Sequence, residues 1–452
     1  MQIFNIHFGL KTLSSCAWQK TKNMLETTIA KIQDFAGKEV QLKGWVYNKR
    51  ESGKIIFLQL RDGSGFIQGV VVKSEVSEKT FENAVKATME SSVVMTGTAR
   101  EDKRAPSGFE ILVFNLELIQ VAEDYPITKK EHGPDFLLDH RHLWLRSKRQ
   151  WAIQRVRNDL ILGIYDFLHR EGFIKIDAPI FTPNACEGTT TLFEVDYFGN
   201  KAYLSQSGQL YLEAAIFAHG KVFDFGPTFR AEKSKTRRHL TEFWMMDAEM
   251  AFYDWKDNID FQEKLIVQLV QRVLRNCQQE MKILERDTKS LEKIKAPFMR
   301  LTYVEALEML RKLGSDIKEG EDFGNDDETM LTQAHEKPIF VSHFPHRIKA
   351  FYMSVDETGK YVLCNDLLAP EGYGEIIGGG QRETDLKKLL AMVKKHNLPQ
   401  KAFEWYLDLR RYGSVTHSGF GLGLERLVAW VCGLPHVRET IPFPRMLERM
   451  TP

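Results

Sequence analysis

The sequence predicts an α+β protein in which a small closed β-barrel of the OB type precedes a larger domain built on an antiparallel β-sheet flanked by helices. Short β-prone runs separated by Gly, Ser and Asp turns occupy residues 38–120 and predict the barrel. Apolar runs at 222–229 and 243–252 flank the polar segment KSKTRRH and predict a long hairpin with a cationic tip. Near the C-terminus, HSGFGLGLER alternates glycine with large apolar residues, which predicts a strand with one bare face.

Composition restricts the class of protein before any motif is considered. The chain has 452 residues, too many for one core and suited to two or three domains. Its net charge of +1 means that any nucleic-acid surface must be a local patch. Its five cysteines are scattered without a CxxC pair, which argues against a zinc ribbon or a disulfide framework and fits a reducing compartment. No apolar run approaches the ~18 residues that span a bilayer, so we expect no membrane partner and a cytoplasmic location.

Residues 1–25 form an N-terminal extension that we expect to be disordered. They contain three lysines and no acid, interspersed with Ser and Thr, a composition also found in organellar transit peptides. The stretch has no arginine, and Met24 offers a second start position. An organellar location is therefore the alternative to the cytoplasm if this stretch is a targeting peptide.

The barrel is predicted to cover residues 26–123, with a helix at 76–89 between its strands. Barrels of this type bind single-stranded nucleic acid through exposed aromatic and basic side chains. Phe57, Arg50 and Gln68 are the candidates for such a role here. Phe57 also fits the barrel core, so its strand position leaves both roles open.

Residues 124–145 carry two prolines and mixed charge and predict a hinge, after which 146–452 form the larger domain. Apolar residues at helical spacing predict a long helix that ends near Gly172. The following strand FIKIDAPIF contains Pro179, which confines it to an edge or an interface. A long helix beside an edge strand predicts a homodimer surface.

The middle of the larger domain supplies further polar candidates. Ser207 is predicted to cap a helix in which Gln209 and Glu213 share one face. Residues 257–315 have the periodicity of amphipathic helices, and the acidic, turn-rich residues 316–335 predict a surface insertion.

Two common nucleotide-binding motifs are missing from the sequence. It contains neither GxxxxGK[ST] nor a GxGxxG between a strand and a helix. A nucleoside triphosphate would instead lie on the antiparallel sheet between aromatic and guanidinium planes, for which Phe243 and Arg426 are suited. Asp366 and Glu375 are the best-placed carboxylates for Mg²⁺, although two acids also fit a charged surface. We expect the basic tip at 233–240 to be mobile without ligand.

From about residue 38 to 452, the ordered motifs resemble those of a known family. The barrel, the helix–strand with Pro179, the FRAE…RHLTEF hairpin and GLGLER resemble class II aminoacyl-tRNA synthetases of subgroup b, which is specific for aspartate, asparagine and lysine. Leu212 stands where the aspartate enzymes carry a lysine, and Glu213 follows it, so the pocket resembles that of the asparagine-specific members. The resemblance implies a class II catalytic domain with ATP and L-asparagine as substrates, Mg²⁺ as cofactor, tRNA(Asn) as partner and a homodimer.

The same resemblance implies roles for individual residues. Arg230 and Glu375 would be catalytic. The ATP site would comprise Arg230, Glu232, Arg238, His239, Phe243, Glu375 and Arg426. The amino-acid site would comprise Glu187, Gln209, Glu213, Arg230 and Arg382. Asp366 and Glu375 would hold Mg²⁺, and Arg50, Phe57 and Gln68 would read the anticodon. Gly378 departs from the aspartate enzymes, which often have a serine there, and this leaves the metal shell open.

Three alternatives have to be weighed against an asparagine-specific synthetase. A non-discriminating aspartyl enzyme is disfavoured by Leu212 and Glu213. An asparagine synthetase on the same catalytic fold is disfavoured by the barrel with Phe57 and Gln68, because free asparagine needs no anticodon reader. A non-catalytic RNA-binding paralogue is disfavoured by the complete set of motif residues.

Overall fold

The structure is a computed structural model that describes residues 25–105, 107–186 and 191–452. The described residues fall into two compact units, one ending at Glu131 and the other beginning at His132. Residues 1–24 of the predicted extension, and Glu187, lie outside the described residues. None of the described helices is long and apolar enough to cross a bilayer.

The first unit is a six-stranded barrel with a single α-helix among its described residues, as predicted for an OB fold. The sheet order is β1-β2-β3-β4-β6-β5, and an additional pairing of β2 with β5 closes it. The elements are β1 (Leu25–Glu26), β2 (Glu39–Ser52), β3 (Ile55–Arg61), β4 (Phe66–Val72), α1 (Glu78–Lys86), β5 (Ser92–Glu101) and β6 (Phe109–Gln120).

Side-chain alternation explains why these runs form a barrel. Along β2, Val40, Leu42 and Val46 are fully buried while Trp45 is exposed, as expected for a strand with one face toward a core. The helix α1 is capped by Ser77, whose side chain accepts a hydrogen bond from the Thr80 N–H at 3.1 Å. The predicted helix at 76–89 is therefore confirmed, with slightly tighter bounds.

In its described residues, the second unit has twelve α-helices, a large eight-stranded sheet and a small three-stranded sheet. Its helices are α2 (Pro134–Asp139), α3 (Arg141–Trp144), α4 (Lys148–Arg170), α5 (Gln209–His219), α6 (Trp255–Asn276), α7 (Gln278–Ile283), α8 (Lys289–Glu292), α9 (Tyr303–Lys312), α10 (Asn325–Gln333), α11 (Leu386–Lys395), α12 (Gln400–Arg411) and α13 (Leu424–Cys432). Its strands are β7 (Ile174–Lys175), β8 (Phe181–Thr182), β9 (Glu194–Tyr197), β10 (Asn200–Leu204), β11 (Lys221–Phe229), β12 (Glu242–Ala251), β13 (Met299–Thr302), β14 (Ile339–Ser342), β15 (Cys364–Ala369), β16 (Gly374–Gln381) and β17 (His417–Gly423).

The large sheet runs in the order β13-β14-β15-β16-β17-β12-β11-β7 and is antiparallel except at its two outermost pairs. The predicted hairpin is confirmed, since β11 and β12 pair from Lys221↔Met250 to Phe229↔Glu242. On β17, Phe420 and Leu422 are buried in the main core, while Gly421 and Gly423 line a cavity on the opposite face. The glycine alternation thus separates a packed face from an open one.

Three local expectations change in the structure. The predicted hinge at 124–145 contains the two short helices α2 and α3. The N-cap of α5 is Gly208 rather than Ser207, although the Ser207 hydroxyl accepts the N–H of Gln209 at 3.1 Å. The expected surface insertion at 316–335 contains α10, and this helix packs on α9 and the sheet instead of standing apart. The acidic residues of α10 dominate its sequence, which therefore did not indicate the apolar side where Leu331 is buried.

Candidate active site

A cavity of about 600 Å³ lies on the open face of β12, β15, β16 and β17. It brings together most of the predicted site residues from five separate parts of the sequence. Its lining includes Gln209, Arg230, Glu232, Arg238, His239, Phe243, Asp366, Glu375, Arg382 and Arg426. Glu213 lies directly behind Gln209, whose side-chain amide donates to it at 3.0 Å.

Arg230 follows β11 and faces the cavity beside the ring of Phe243. The two are in cation–π contact, with the guanidinium carbon 5.5 Å from the ring centre. The Nε–H of Arg230 is buried and has no hydrogen-bond acceptor among the described residues. Because an unmet buried donor is costly, this N–H is suited to an acceptor atom of a ligand.

Arg426 and Glu375 form a fixed pair at the same end of the cavity. Arg426 Nη1 donates to the Glu375 carboxylate at 2.8 Å and to its carbonyl at 3.0 Å. Burial alone would raise the pKa of Glu375, but Arg426, together with Lys349 and Arg230, outweighs burial and lowers the pKa. Glu375 is therefore an anion held in place by the arginine that follows the bare strand.

His239 and Glu232 lie 3.4 Å apart at the edge of this end. Burial, followed by the charge of Arg426, lowers the pKa of His239. The other ring nitrogen is hydrogen-bonded to the Thr236 hydroxyl. His239 thus presents a neutral, oriented imidazole to the cavity.

Arg238 is held by a residue that sequence reasoning did not identify. Its guanidinium donates to Glu328 on α10 at 2.6 Å and to the Thr329 hydroxyl at 2.7 Å. Burial, and then the charge of Glu375, raises the pKa of Glu328 to about 7. Gly374 sits against this pair, since a Cβ there would lie 2.2 Å from the Glu328 carboxylate. The acidic composition of residues 316–335 did not indicate that Glu328 faces the cavity.

Asp366 and Glu375 converge above Gly378. A Cβ at Gly378 would lie 2.9 Å from one Glu375 oxygen and 3.7 Å from one Asp366 oxygen, so the glycine leaves room between the carboxylates. Lys349 donates to Asp366 at 2.8 Å. Burial, opposed by Lys349, raises the pKa of Asp366 to about 6. Among the described residues no group of three acids, histidines or cysteines could hold a metal alone.

The other end of the cavity rests on a buried charged network centred on Glu213. Its carboxylate accepts from Arg410 at 2.7 Å and from the Tyr406 hydroxyl at 2.7 Å, and it lies 3.1 Å from His417. Burial would raise the pKa of Glu213, but Arg410 and His417 lower it well below its usual range. The sequence reasoning missed Arg410 and Tyr406, because α12 has only an ordinary amphipathic pattern, and it missed His417, the first residue of β17.

Arg382 is paired rather than free. Its Nε–H and Nη2–H groups both donate to the carboxylate of Glu249 on β12, and both side chains are almost fully buried. Despite burial, Glu249 and Glu213 raise the pKa of Arg382. Glu249 could have been suspected, since it is an acid within the apolar run FWMMDAEMA. Leu212, in contrast, packs with Ile216, Val222 and Ala251 in a small apolar cluster.

In the barrel unit, the three predicted anticodon residues lie on one face. Arg50 stacks over Phe57, with its guanidinium carbon 4.5 Å from the ring centre. Phe57 is half-buried and two residues from Gln59, which pairs directly with Gln68. Gln68 donates to the buried Glu110 at 3.2 Å, a partner that the sequence did not indicate. The face therefore offers an aromatic ring beside fixed polar groups.

Taken together, the fold and the cavity define a class II aminoacyl-tRNA synthetase joined to an OB-fold domain. The family model of class II tRNA synthetases (D, K and N) matches residues 133–447. The model of the OB-fold nucleic acid binding domain matches residues 40–119.

Comparison with individual relatives shows which member of this class II family the chain resembles. An asparagine–tRNA ligase from Pelotomaculum thermopropionicum is 58% identical over 430 residues, which cover 95% of this chain and 100% of that protein. The crystal structure of asparaginyl-tRNA synthetase from Pyrococcus horikoshii complexed with asparaginyl-adenylate is 47% identical with a TM-score of 0.90, covering 93% and 97% of the two chains. An aspartyl tRNA synthetase from Entamoeba histolytica is 28% identical with a TM-score of 0.81, covering 95% and 93%. The chain belongs to the asparagine–tRNA ligase family of class II synthetases.

Proposed function

We propose that this chain activates L-asparagine with ATP and transfers the asparaginyl group to the 3′ end of tRNA(Asn). The observation that carries the proposal is the arrangement of the cavity. Arg230, with an unmet N–H, lies at one end, and Gln209, which rests on the carboxylate of Glu213 fixed by Arg410, lies at the other. The first suits a phosphate, and the second suits a side-chain amide. A volume of about 600 Å³ is in the range of small-ligand sites.

In the first step, a carboxylate oxygen of asparagine attacks the α-phosphorus of ATP and pyrophosphate leaves. The nucleophile is already ionised, so no protein base is needed. Arg230 neutralises charge on the α-phosphate and orients the substrate carboxylate. Phe243 and Arg426 enclose the adenine, Glu232 accepts from its amino group, and Arg238 and His239 face the outer phosphates. Positioning and charge stabilisation therefore supply the catalysis.

In the second step, a ribose hydroxyl of the terminal tRNA adenosine attacks the acyl carbon of the adenylate, and AMP leaves. The bond between the acyl carbon and the phosphate oxygen breaks, and the hydroxyl proton is released. The barrel would identify the correct tRNA through Arg50, Phe57 and Gln68, which share one face.

The amino-acid end supports selection of asparagine over aspartate. The two substrates are nearly isosteric, so size alone separates them poorly. Ionised Glu213, directly behind Gln209, disfavours a second carboxylate at this end of the cavity by charge repulsion, whereas a neutral amide is not repelled. Arg382 faces the side-chain carbonyl oxygen, and Gln209 receives the α-ammonium group, as we also propose for Glu187.

Mg²⁺ fits the two carboxylates above Gly378. This hard cation takes few protein oxygens and keeps places for phosphate and water, so Asp366 and Glu375 form an adequate set. When bound, Mg²⁺ would neutralise charge on the phosphates of ATP. Lys349 holds Asp366 in place and keeps positive charge beside it.

We further propose a homodimer in the cytoplasm. Exposed apolar side chains on α4 and the neighbouring strands support an interface, including Leu162, Tyr165, Ile174, Ile180 and Phe181. In the described part of the chain, the four cysteine thiols are all buried, which supports a reducing compartment.

Amino-acid-dependent ATP–pyrophosphate exchange tests the proposal. We expect exchange with asparagine and at least about 100-fold less kcat/KM with aspartate, because a site built for one polar group rejects the other. No exchange should occur with lysine. Equal exchange with asparagine and aspartate would indicate a non-discriminating enzyme, and no exchange with any of the three would refute synthetase activity.

A further inference from the structure

The helix α11 (Leu386–Lys395) carries a cationic face that the catalytic steps above do not use. Its sequence LKKLLAMVKK contains four lysines and no acid, although the chain as a whole has a net charge of only +1. Lys387 and Lys394 are seven residues apart, as are Lys388 and Lys395, so the four lysines share one side of the helix. All four are exposed.

These lysines lack the ion pairs that neutralise other charged helices of the unit. On α12, Arg411 pairs with Glu404 and Asp408. Across the described residues, no carboxylate oxygen lies within 4 Å of the ammonium groups on α11. The nearest acid along the chain, Asp385, accepts the backbone N–H groups of Lys387 and Lys388 and thereby caps the helix. The positive charge on this face is therefore available to a partner.

The position of α11 relates this charge to the cavity. The opposite side of the helix is anchored in the core through Leu389, Met392 and Val393. His396, the residue directly after the helix, lines the cavity itself. The C-terminal end of the lysine face, Lys394 and Lys395, is therefore adjacent along the chain to a residue of the cavity lining.

We propose that the exposed lysine face of α11 binds the phosphate backbone of the tRNA acceptor arm, an inference that rests on the proposed function. The lysines extend over about 12 Å along the helix axis, a length over which a nucleic-acid duplex presents several phosphates. Flexible ammonium groups suit phosphates as point charges and carry no sequence information. The face thus guides the acceptor end, while the barrel selects the tRNA.

The test is the quadruple variant K387Q/K388Q/K394Q/K395Q, since glutamine keeps helix propensity and removes charge. A matched control, K282Q/K289Q/K293Q/K295Q, removes four exposed lysines of the same unit that do not line the cavity. We expect the KM for tRNA in aminoacylation to rise on the order of tenfold to a hundredfold in the α11 variant. The salt dependence of tRNA binding should weaken by about one in slope for each lysine that contacts a phosphate. The control should change neither.

Pyrophosphate exchange separates this inference from the proposed function, because exchange needs no tRNA. We expect the α11 variant to keep the exchange rate and the KM for ATP and asparagine of the unaltered protein. An unchanged KM for tRNA would overturn the inference and leave the lysines as a solvated face or a site for an acidic protein. Loss of exchange in the variant would also overturn it, since the face would then act through the catalytic fold. Absence of exchange in the unaltered protein would refute the proposed function instead.

Discussion

Arg238 of the hairpin loop and Glu328 of α10 are joined at 2.6 Å, and the same Glu328 oxygen accepts the backbone N–H of Glu375 at 3.0 Å. One carboxylate therefore fixes both an arginine proposed to face the outer phosphates of ATP and the strand that carries a proposed Mg²⁺ ligand. A second acceptor, the carbonyl of Gly372, holds the other side of the Arg238 guanidinium at 2.7 Å. The arginine is set in place by its neighbours before any substrate contact.

Glu328→Gln keeps the shape of this contact and removes its charge. The charge of Glu328 holds Arg238 at the phosphate end of the cavity. Because removing this charge weakens one charge-assisted hydrogen bond, we expect the KM for ATP to rise about tenfold. The KM for asparagine should stay within about twofold of the original value. Pyrophosphate exchange at varied ATP and varied asparagine measures both. Asp326→Asn, an exposed acid on the same helix, is the control, and an equal effect of both variants would contradict the positioning role of Glu328.

Arg230→Ala and Arg426→Ala should each lower adenylate formation by at least about 100-fold, the usual effect of losing a preorganised charge-stabilising donor. Both side chains face the cavity and are only partly buried, so the fold should persist. Exchange kinetics measure adenylate formation, and circular dichroism on the same samples measures whether the fold persists. Exchange close to that of the unaltered protein in either variant would refute the assignment of that arginine.

Glu213→Gln should shift the preference for asparagine over aspartate by at least about tenfold toward aspartate, because a like-charge contact in an interface costs several kcal/mol. Glutamine remains able to accept hydrogen bonds from Tyr406 and Arg410, so part of the network survives. The ratio of kcat/KM for the two amino acids in pyrophosphate exchange is the measurement. An unaltered ratio would show that Glu213 supports the pocket without selecting its ligand.

Phe57→Ala in the barrel should raise the KM for tRNA between about fivefold and 150-fold, which corresponds to the ~1–3 kcal/mol of one base stacked on an aromatic ring. Exchange without tRNA should be unaffected, because the catalytic residues lie in the other unit. Phe57→Tyr is the conservative control and should keep stacking. If alanine and tyrosine behave alike, the ring serves the barrel fold and not the anticodon.

His436 makes stability depend on pH. Its Nδ1 accepts the Arg438 N–H at 3.1 Å, and burial followed by the Arg438 charge lowers its pKa to about 4. Because the folded pKa lies below the ordinary 6.5, the contribution is present above pH 6.5 and is lost as pH falls toward 4. Between pH 7.5 and 5 we expect the protein to lose stability relative to His436→Asn, by about 1 kcal/mol after allowing for partial exposure. Urea unfolding at both pH values measures it, and parallel losses in the two proteins would exclude His436 as the source.

Features with a local period were accessible from the sequence. Alternation of glycine with large apolar residues identified the open face of β17, and two apolar runs around a basic segment identified the hairpin. Both patterns are local because a strand repeats every two residues. The resemblance of the ordered motifs then supplied roles that no local pattern contains.

What the sequence did not indicate are the partners of these residues. Glu328 lies 90 residues from Arg238, and Glu249 lies 133 residues from Arg382. Pairing over such distances depends on how helices pack against the sheet, and it leaves no periodic signal. The acidic stretch around α10 shows the difficulty well, since the same composition describes a solvated surface and a helix with one buried carboxylate.

The pair between Glu213 and Arg410 joins residues that are 197 positions apart. The ribosome therefore synthesises Glu213 well before Arg410, its cationic partner. Until α12 and β17 have emerged and folded, Glu213 lacks the partners that keep it ionised in the interior. The amino-acid pocket is thus among the last parts of the catalytic unit to be completed during translation. Chains that end before α12 and β17 consequently lack the charged network that fixes Glu213 behind Gln209.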